Sequence, residues 1–101
     1  MSLTVTIITT KPASSTFYFN LSQDNLDKVE SFQTWTSTMP GFVRAVSEMP
    51  DENTAIQIYE WATEADYENW WASRWDHDAH QERMDYNAAN GITSNITNTI
   101  T

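Results

Sequence analysis

The sequence predicts a single α+β domain in which two helices cover one face of an antiparallel sheet. Three observations support this: the chain has 101 residues, β-branched segments and segments of helical periodicity follow the order β-α-β-β-α-β, and no internal repeat interrupts that order. This length is the ordinary size of one domain. The order of elements is typical of a ferredoxin-like arrangement, which we expect to span residues 1–101.

The first part of the chain contains one strand and one helix. Residues 3–10 are dense in β-branched side chains that nearly alternate, which is typical of a half-buried strand. After a loop, residues 17–19 either extend the sheet or cap the core. A helix begins at Ser22 or Asp24, because either side chain can accept free amides, and it runs to about Met39 before a Pro-Gly pair.

A hairpin follows the first helix. Residues 42–49 and 55–61 are rich in β-forming side chains, and the Pro-Asp-Glu-Asn segment between them supplies turn residues. These segments predict the second and third strands.

The last part of the chain contains the second helix and the fourth strand. Thr63 is followed three residues later by an aspartate, which resembles a capping box, so a helix starts there and runs to about Asn87. A break in this helix near residues 73–76 stays open. In the strand predicted for residues 92–101, one face carries almost only hydroxyl and amide groups, and the other carries the isoleucines.

Charge and composition exclude several classes of function. The net charge is −9 and the five Lys and Arg residues are scattered, so we expect no binding to nucleic acid or to anionic membranes. The absence of cysteine excludes thiolate nucleophiles and metal–thiolate sites, and two glycines are too few for a phosphate-binding loop. No secretory signal or membrane-spanning apolar run is present, so a cytoplasmic location is expected.

The apolar residues of the sheet predict a homodimer. Leu3, Val5 and Ile7 fall on one side of the first strand and Ile8 falls on the other, so neither face of the sheet is purely polar. Two helices cover only one face, and an exposed apolar sheet would be prone to association. Two copies whose sheets face each other would close a barrel and, in so small a chain, help to enclose a cavity.

The stretch from Tyr59 to His80 indicates a binding function. It contains four of the five tryptophans and both histidines. Indole rings pack well against flat or long apolar molecules, and imidazole exchanges protons near neutral pH. We therefore expect a site for a small hydrophobic organic molecule, either polycyclic or long-chain.

The same stretch also has structural explanations. Tryptophans at helical spacing fill a core or a dimer interface as readily as they line a pocket. His77 and His80 are three residues apart and provide only a minimal metal pair, so no metal site is predicted. The acidic residues of the second helix are expected to face solvent, where Arg74 and Arg83 form surface ion pairs with them.

Four short motifs are spread over nearly the whole chain: Pro-Gly-Phe at 40–42, Trp61 at the end of the third strand, Thr-x-x-Asp at 63–66, and Trp70. Together they resemble the antibiotic-biosynthesis-monooxygenase-like, dimeric α/β-barrel superfamily. The resemblance implies a ferredoxin-like chain that dimerises into an α/β barrel around an apolar interior.

Resemblance to the cofactor-independent oxygenases of this superfamily implies roles for individual residues. Those enzymes hold an electron-rich polycyclic substrate, remove a proton and let the carbanion react with oxygen, which requires a base, a stacking wall and an oxyanion donor. The implied catalytic residues are His80 or His77 as base and Tyr59 as donor. The implied ligand-binding residues are Trp61, Tyr67, Trp70, Trp71, Trp75, Arg44 and Asn95.

Two alternatives stay open beside the oxygenase. The spacing of Trp61, Trp70 and His80 also resembles the haem-degrading branch, in which Trp70 would press on the porphyrin and His80 would ligate iron. That branch has an asparagine in its first strand, which residues 3–10 lack, and cations for the haem propionates, so no cofactor is expected. The other alternative is a binding or sensing module that holds a ligand without altering it.

Overall fold

The computed structural model describes residues 2–100, except for the side chains of Asp76 and Asp78, and Thr101 of the predicted last strand lies outside the described residues. The elements are β1 (Leu3–Thr10), α1 (Gln23–Ser37), β2 (Phe42–Asp51), β3 (Thr54–Trp61), α2 (Glu64–Ser73), α3 (Asp78–Ala89) and β4 (Thr93–Ile100). The predicted order is confirmed. The second predicted helix is divided into α2 and α3 by a 3₁₀ turn, Arg74–Asp76.

The four strands form one antiparallel sheet in the order β2-β3-β1-β4. Val5 of β1 pairs with Tyr59 on one side and with Asn98 on the other. Side chains alternate between the two faces of a strand, so these three point toward the same face. The buried residues of the sheet all lie on this helix-facing side: Leu3, Val5, Ala55, Tyr59 and Trp61.

The core joins both helical layers to the sheet. Phe32 of α1 and Trp70 of α2 pack over Val5 and Trp61 in one apolar cluster. The Trp70 indole nitrogen donates a hydrogen bond of 3.0 Å to the buried Thr36 hydroxyl. This bond satisfies a polar group that would otherwise be costly to bury, and it ties α2 to α1.

The start of α2 confirms the predicted cap. The Thr63 hydroxyl accepts a hydrogen bond from the Asp66 amide at 3.1 Å and donates to the Asp66 carboxylate at 2.8 Å. Gly41 lies against this carboxylate, because a Cβ atom at that position would be 2.1 Å from it. Glycine also permits the positive φ of 79° found there. The Pro-Gly-Phe and Thr-x-x-Asp motifs are therefore parts of one contact.

The segment at residues 17–19 caps the core and does not extend the sheet. Phe17 and Tyr18 are buried, and a 3₁₀ turn begins at Tyr18. The Tyr86 hydroxyl of α3 donates a hydrogen bond to the carbonyl of Thr16, which fixes this segment against the helices.

Candidate functional site

A partly open cavity of about 190 Å³ lies between the sheet and the helices. Ile7 and Ile96, which are paired across β1 and β4, line it from the sheet. Trp70, Trp71 and His80 line it from α2 and α3. Residues of a single chain thus form the cavity, whereas the sequence suggested that two copies would enclose one more easily.

The described helices do not include a segment long and apolar enough to cross a membrane.

His80 is the polar group whose environment is most unusual in this cavity. It is only 6% exposed, with the Phe32 ring stacked on it at 5.6 Å and the edge of Trp75 at 4.5 Å between ring centroids. Neither ring nitrogen has a hydrogen-bond partner among the groups that the structure describes. Buried polar atoms without partners are rare, because each has lost its hydrogen bonds with water. A ligand in the cavity could restore a hydrogen bond to one of these nitrogens.

The environment of His80 also sets its charge. Burial lowers the pKa of the imidazole from 6.5 to about 4, and the positive charges of Arg83, Arg74 and His77 add to the effect. The ring is therefore neutral at neutral pH, with one nitrogen able to accept a proton.

Because of this pKa, His80 should weaken the fold in acid. The folded chain binds the proton near pH 4 and the unfolded chain near pH 6.5, so the unfolded chain is protonated first as the pH falls. The contribution of the neutral imidazole to the free energy of unfolding is complete above the pKa that His80 has in the unfolded chain. It is lost progressively as the pH falls toward the pKa that His80 has in the folded chain. We expect urea unfolding to show a loss of about 2 to 3 kcal/mol from this residue between about pH 7 and about pH 4.5.

The control for this measurement is His80→Phe, which carries no titratable proton. Carboxylates titrate over the same range in both proteins, so the difference between the two curves isolates His80. Equal acid destabilisation of the wild type and the variant would contradict the assigned environment.

Tyr59 and the two tryptophans complete the polar and stacking groups predicted for the site. Tyr59 is 4% exposed and lines the cavity from β3. Burial raises the pKa of its phenol, and Arg83 partly offsets this, so the hydroxyl remains a hydrogen-bond donor. The Trp70 ring lies 5.3 Å from the Tyr59 ring and 5.9 Å from the Trp71 ring, between centroids.

Two of the predicted aromatic ligand-binding residues lie in the core instead. Trp61 is fully buried and packs against Phe42 and Trp70, with ring centroids 5.7 and 5.5 Å away. Tyr67 is buried against Trp70 and Trp71. Neither residue lines the cavity, and both pack against Trp70 within the core.

His77 and Trp75 flank the site without lining it. The His77 imidazole caps α3 by accepting a hydrogen bond of 3.2 Å from the Ala79 amide, and it lies 3.3 Å from the Ser31 hydroxyl. Trp75 is 47% exposed and packs against the His80 ring and the Arg74 guanidinium. The break between α2 and α3 turns both side chains away from the cavity.

Arg44 and Asn95 lie on the opposite face of the sheet. Arg44 is exposed and forms an ion pair of 2.8 Å with Glu60. Asn95 pairs with Ile8, whose side chain points away from the helices. These two residues cannot reach the cavity, because the alternation of β2 and β4 places them on its far side.

Two charged residues that line the cavity were not predicted as site residues, Arg74 and Arg83. Both were expected to form surface ion pairs, yet neither has a carboxylate partner among the side chains that the structure describes. A signal for Arg83 exists in the sequence: His80, Arg83 and Asn87 follow helical spacing, and all three line the cavity. Arg74 follows Trp70 by four residues in the same way.

The cavity does not fit a haem group. His80 and Trp70 both line it, as the haem alternative requires. However, an apolar cavity of about 150 Å³ binds one benzene molecule, so most of a porphyrin would lie outside a cavity of about 190 Å³. No cluster of three or more His, Asp or Glu residues able to hold a metal ion was found in the described part of the chain.

The fold is similar to those of several solved structures. SnoaB, a cofactor-independent oxygenase from Streptomyces nogalater, matches with a TM-score of 0.66 at 14% identity, over 99% of this chain and 92% of its own. A proposed antibiotic biosynthesis monooxygenase from Deinococcus radiodurans matches with a TM-score of 0.66 at 10% identity, over 100% and 92%. A proposed monooxygenase from Shewanella loihica PV-4 matches with a TM-score of 0.52 at 18% identity, over 100% and 96%.

These similarities confirm the predicted fold, which is that of the antibiotic-biosynthesis-monooxygenase-like proteins. At such low identity they show the fold alone. The sequence matches no protein-family model and no curated protein.

Proposed function

We propose that this chain, which has the fold of the antibiotic-biosynthesis-monooxygenase-like proteins, is a cofactor-independent oxygenase that acts on a small aromatic molecule. The observation that carries the proposal is the buried, neutral His80, whose two ring nitrogens have no partner within the described residues and which lines an aromatic cavity. A base of this kind needs a substrate whose proton is already acidic, such as a benzylic C–H group beside a carbonyl.

The other cavity residues supply the remaining parts of the reaction. Trp70 and Trp71 stack on the ring of the substrate and hold its acidic position near His80. The Tyr59 hydroxyl donates a hydrogen bond to the oxygen on which negative charge develops. The neighbouring positive charges of Arg74 and Arg83 favour the same anion and, once it forms, no longer depress the pKa of His80.

The proposed reaction needs no external reductant. His80 removes a proton from a CH₂ group, and the carbanion gives one electron to O₂. The resulting superoxide and substrate radical combine into a peroxide anion, which takes the proton back from His80. The hydroperoxide then loses water as its carbon becomes a carbonyl. In sum, CH₂ and O₂ yield C=O and H₂O.

The volume of the cavity limits the size of the substrate. Since an apolar cavity of about 150 Å³ holds one benzene molecule, about 190 Å³ favours a molecule with one ring inside and a second at the opening. This is smaller than the polycyclic or long-chain ligand that the sequence suggested.

Oxygen uptake tests the proposed activity. Purified protein treated with a chelator should consume oxygen with two-ring ketones whose benzylic CH₂ lies beside the carbonyl, such as 2-tetralone and 2-indanone. Mass spectrometry should find one oxygen atom from O₂ in the product. Rates equal to the protein-free rate for every compound would refute the proposal.

A second candidate function is storage or sensing of the same ligand. One observation favours it: neither ring nitrogen of His80 has a hydrogen-bond partner among the described groups, and a pKa of about 4 makes the imidazole a weak base. Native mass spectrometry of the purified protein distinguishes the two. A co-purified ligand that is bound unaltered, together with no oxygen uptake, would support the binding module.

We also propose that the protein is a homodimer whose sheets face each other. On the face of the sheet away from the helices, Val46, Ile56 and Ile58 are half-buried and Ile8 is 36% exposed. These four side chains form a continuous apolar patch, since Val46 pairs with Ile58 and Ile8 pairs with Ile56. A second copy of the same patch would bury it.

Substitution within this patch should separate the copies. We expect size-exclusion chromatography with light scattering to give a dimer mass for the wild type and a monomer mass for Ile58→Lys, because a buried lysine has no partner in a symmetric apolar interface. The matched control is Leu21→Lys, which changes an exposed leucine away from the sheet. A monomeric wild type, or a dimeric Ile58→Lys variant, would contradict the proposed interface.

A further inference from the structure

The charges around the cavity are opposite to those of the chain as a whole. The sequence contains 14 Asp and Glu residues and only five Lys and Arg residues. Two of the five cations, Arg74 and Arg83, line the cavity, and no carboxylate lines it within the described residues. Because positively charged side chains line this cavity in an otherwise acidic chain, its electrostatic potential favours a negatively charged ligand.

Arg83 is the better placed of the two cations. It lies on α3 one turn after His80, with its guanidinium carbon 5.5 Å from the centre of the Phe32 ring. It makes no hydrogen bond or ion pair with any side chain that the structure describes, and burial lowers its pKa. Arg83 is half-buried, so its guanidinium has lost part of its hydration without gaining a described partner, and an anionic ligand would offset that loss.

Arg74 is held at the edge of the same cavity by aromatic rings. Its guanidinium carbon is 3.6 Å from the centre of the Trp71 ring and 4.7 Å from that of Trp75, and it donates a hydrogen bond to the Trp71 carbonyl. Its Nε atom is buried and has no partner among the groups that the structure describes. The stacking fixes the plane of the guanidinium, so its free N–H group has a set direction.

From this arrangement we propose that the ligand of the cavity is a one- or two-ring aromatic monocarboxylate, whose carboxylate binds Arg83 and Arg74 while its ring packs on Trp70 and Trp71. The planar fork of a guanidinium matches a carboxylate. A single carboxylate suits the cavity better than a phosphate dianion. The rest of the lining is largely apolar, so each additional negative charge would raise the free-energy cost of desolvating the ligand. This names the substrate class of the proposed oxygenase, and it holds equally for a binding module.

Two ligands that have nearly the same shape and differ in charge test the proposal. The affinities of the protein for 2-naphthoate and for the neutral 2-naphthamide are measured by tryptophan fluorescence and by calorimetry. We expect the wild type to bind the carboxylate at least about tenfold more tightly, since charged hydrogen bonds are stronger than neutral ones. Arg83→Gln should abolish this preference and Arg83→Lys should retain part of it.

Arg44→Gln is the matched control, because Arg44 is an exposed arginine on the other face of the sheet. It should leave both affinities unchanged, and circular dichroism with urea unfolding should show that each variant is folded. Equal binding of naphthoate and naphthamide by the wild type, or a preference that survives both Arg83→Gln and Arg74→Gln, would overturn the proposal. The assay measures binding alone, so anion-selective binding without oxygen uptake would refute the oxygenase and leave this inference standing.

Discussion

Replacement of His80 by phenylalanine should lower kcat for oxygen uptake by about 10²- to 10⁴-fold, which is the usual contribution of a general base. Phenylalanine fills the space between Phe32 and Trp75, since both contacts of the imidazole are with aromatic rings. The affinity for a substrate analogue should therefore change little. Stopped-flow or electrode measurements of kcat, with fluorescence titration for binding, separate the two effects.

The pH dependence gives an independent check on the same residue. The base must be neutral to accept a proton, and its pKa in the folded chain is about 4. The kcat/KM of the wild type should therefore be level near neutrality and fall as the pH drops through that pKa, because the protonated ring cannot act.

His77→Phe is the control for the activity measurement. His77 caps α3 and lies outside the cavity, so its loss should cost about 1 kcal/mol of stability and leave kcat nearly unchanged. A His80→Phe variant that keeps the wild-type kcat would show that His80 is not the base.

Trp61→Ala is expected to destabilise the fold by about 3 to 5 kcal/mol. Trp61 is fully buried and packs against Phe42 and Trp70, so truncation leaves a cavity in the centre of the core. Since most domains have only about 5 to 15 kcal/mol of net stability, the variant should be strongly destabilised. Urea unfolding followed by circular dichroism measures the change.

Trp75→Ala provides the comparison, because it removes the same side chain from a position that is 47% exposed. Its cost should stay below about 1 kcal/mol, as is usual for surface positions. Similar losses for the two variants would show that the packing of Trp61 or Trp75 differs from that described.

Much of the fold could be predicted because its signals are local. Residues 3–10 alternate and form β1 with the predicted bounds, and Thr63 caps α2 as its spacing to Asp66 indicates. β2 extends two residues past the predicted Met49, since Pro50 and Asp51 still lie along the edge of the sheet. Caps and alternation depend on neighbours a few residues apart, and the sequence displays those neighbours directly.

The candidate site was only partly predictable from the same stretch. Trp61, Trp70 and Trp75 have equal chemical character in the sequence, yet they occupy the core, the cavity wall and the surface. The 3₁₀ turn before α3 changes the direction that later side chains face, and no helical spacing carries across it. Arg83 was assigned to the surface because charged residues usually are exposed.

The sequence by itself established the order of elements, the antiparallel α+β fold and the aromatic stretch that supplies the cavity wall. The tertiary structure decided which of those aromatics meet a cavity, that the cavity lies within one chain, and that two arginines and one neutral histidine share it. The physical reason is distance along the chain. Sheet register and helix packing alone bring together the cavity residues Ile7, Tyr59, His80 and Ile96. The burial and the charge state of His80 follow from that arrangement.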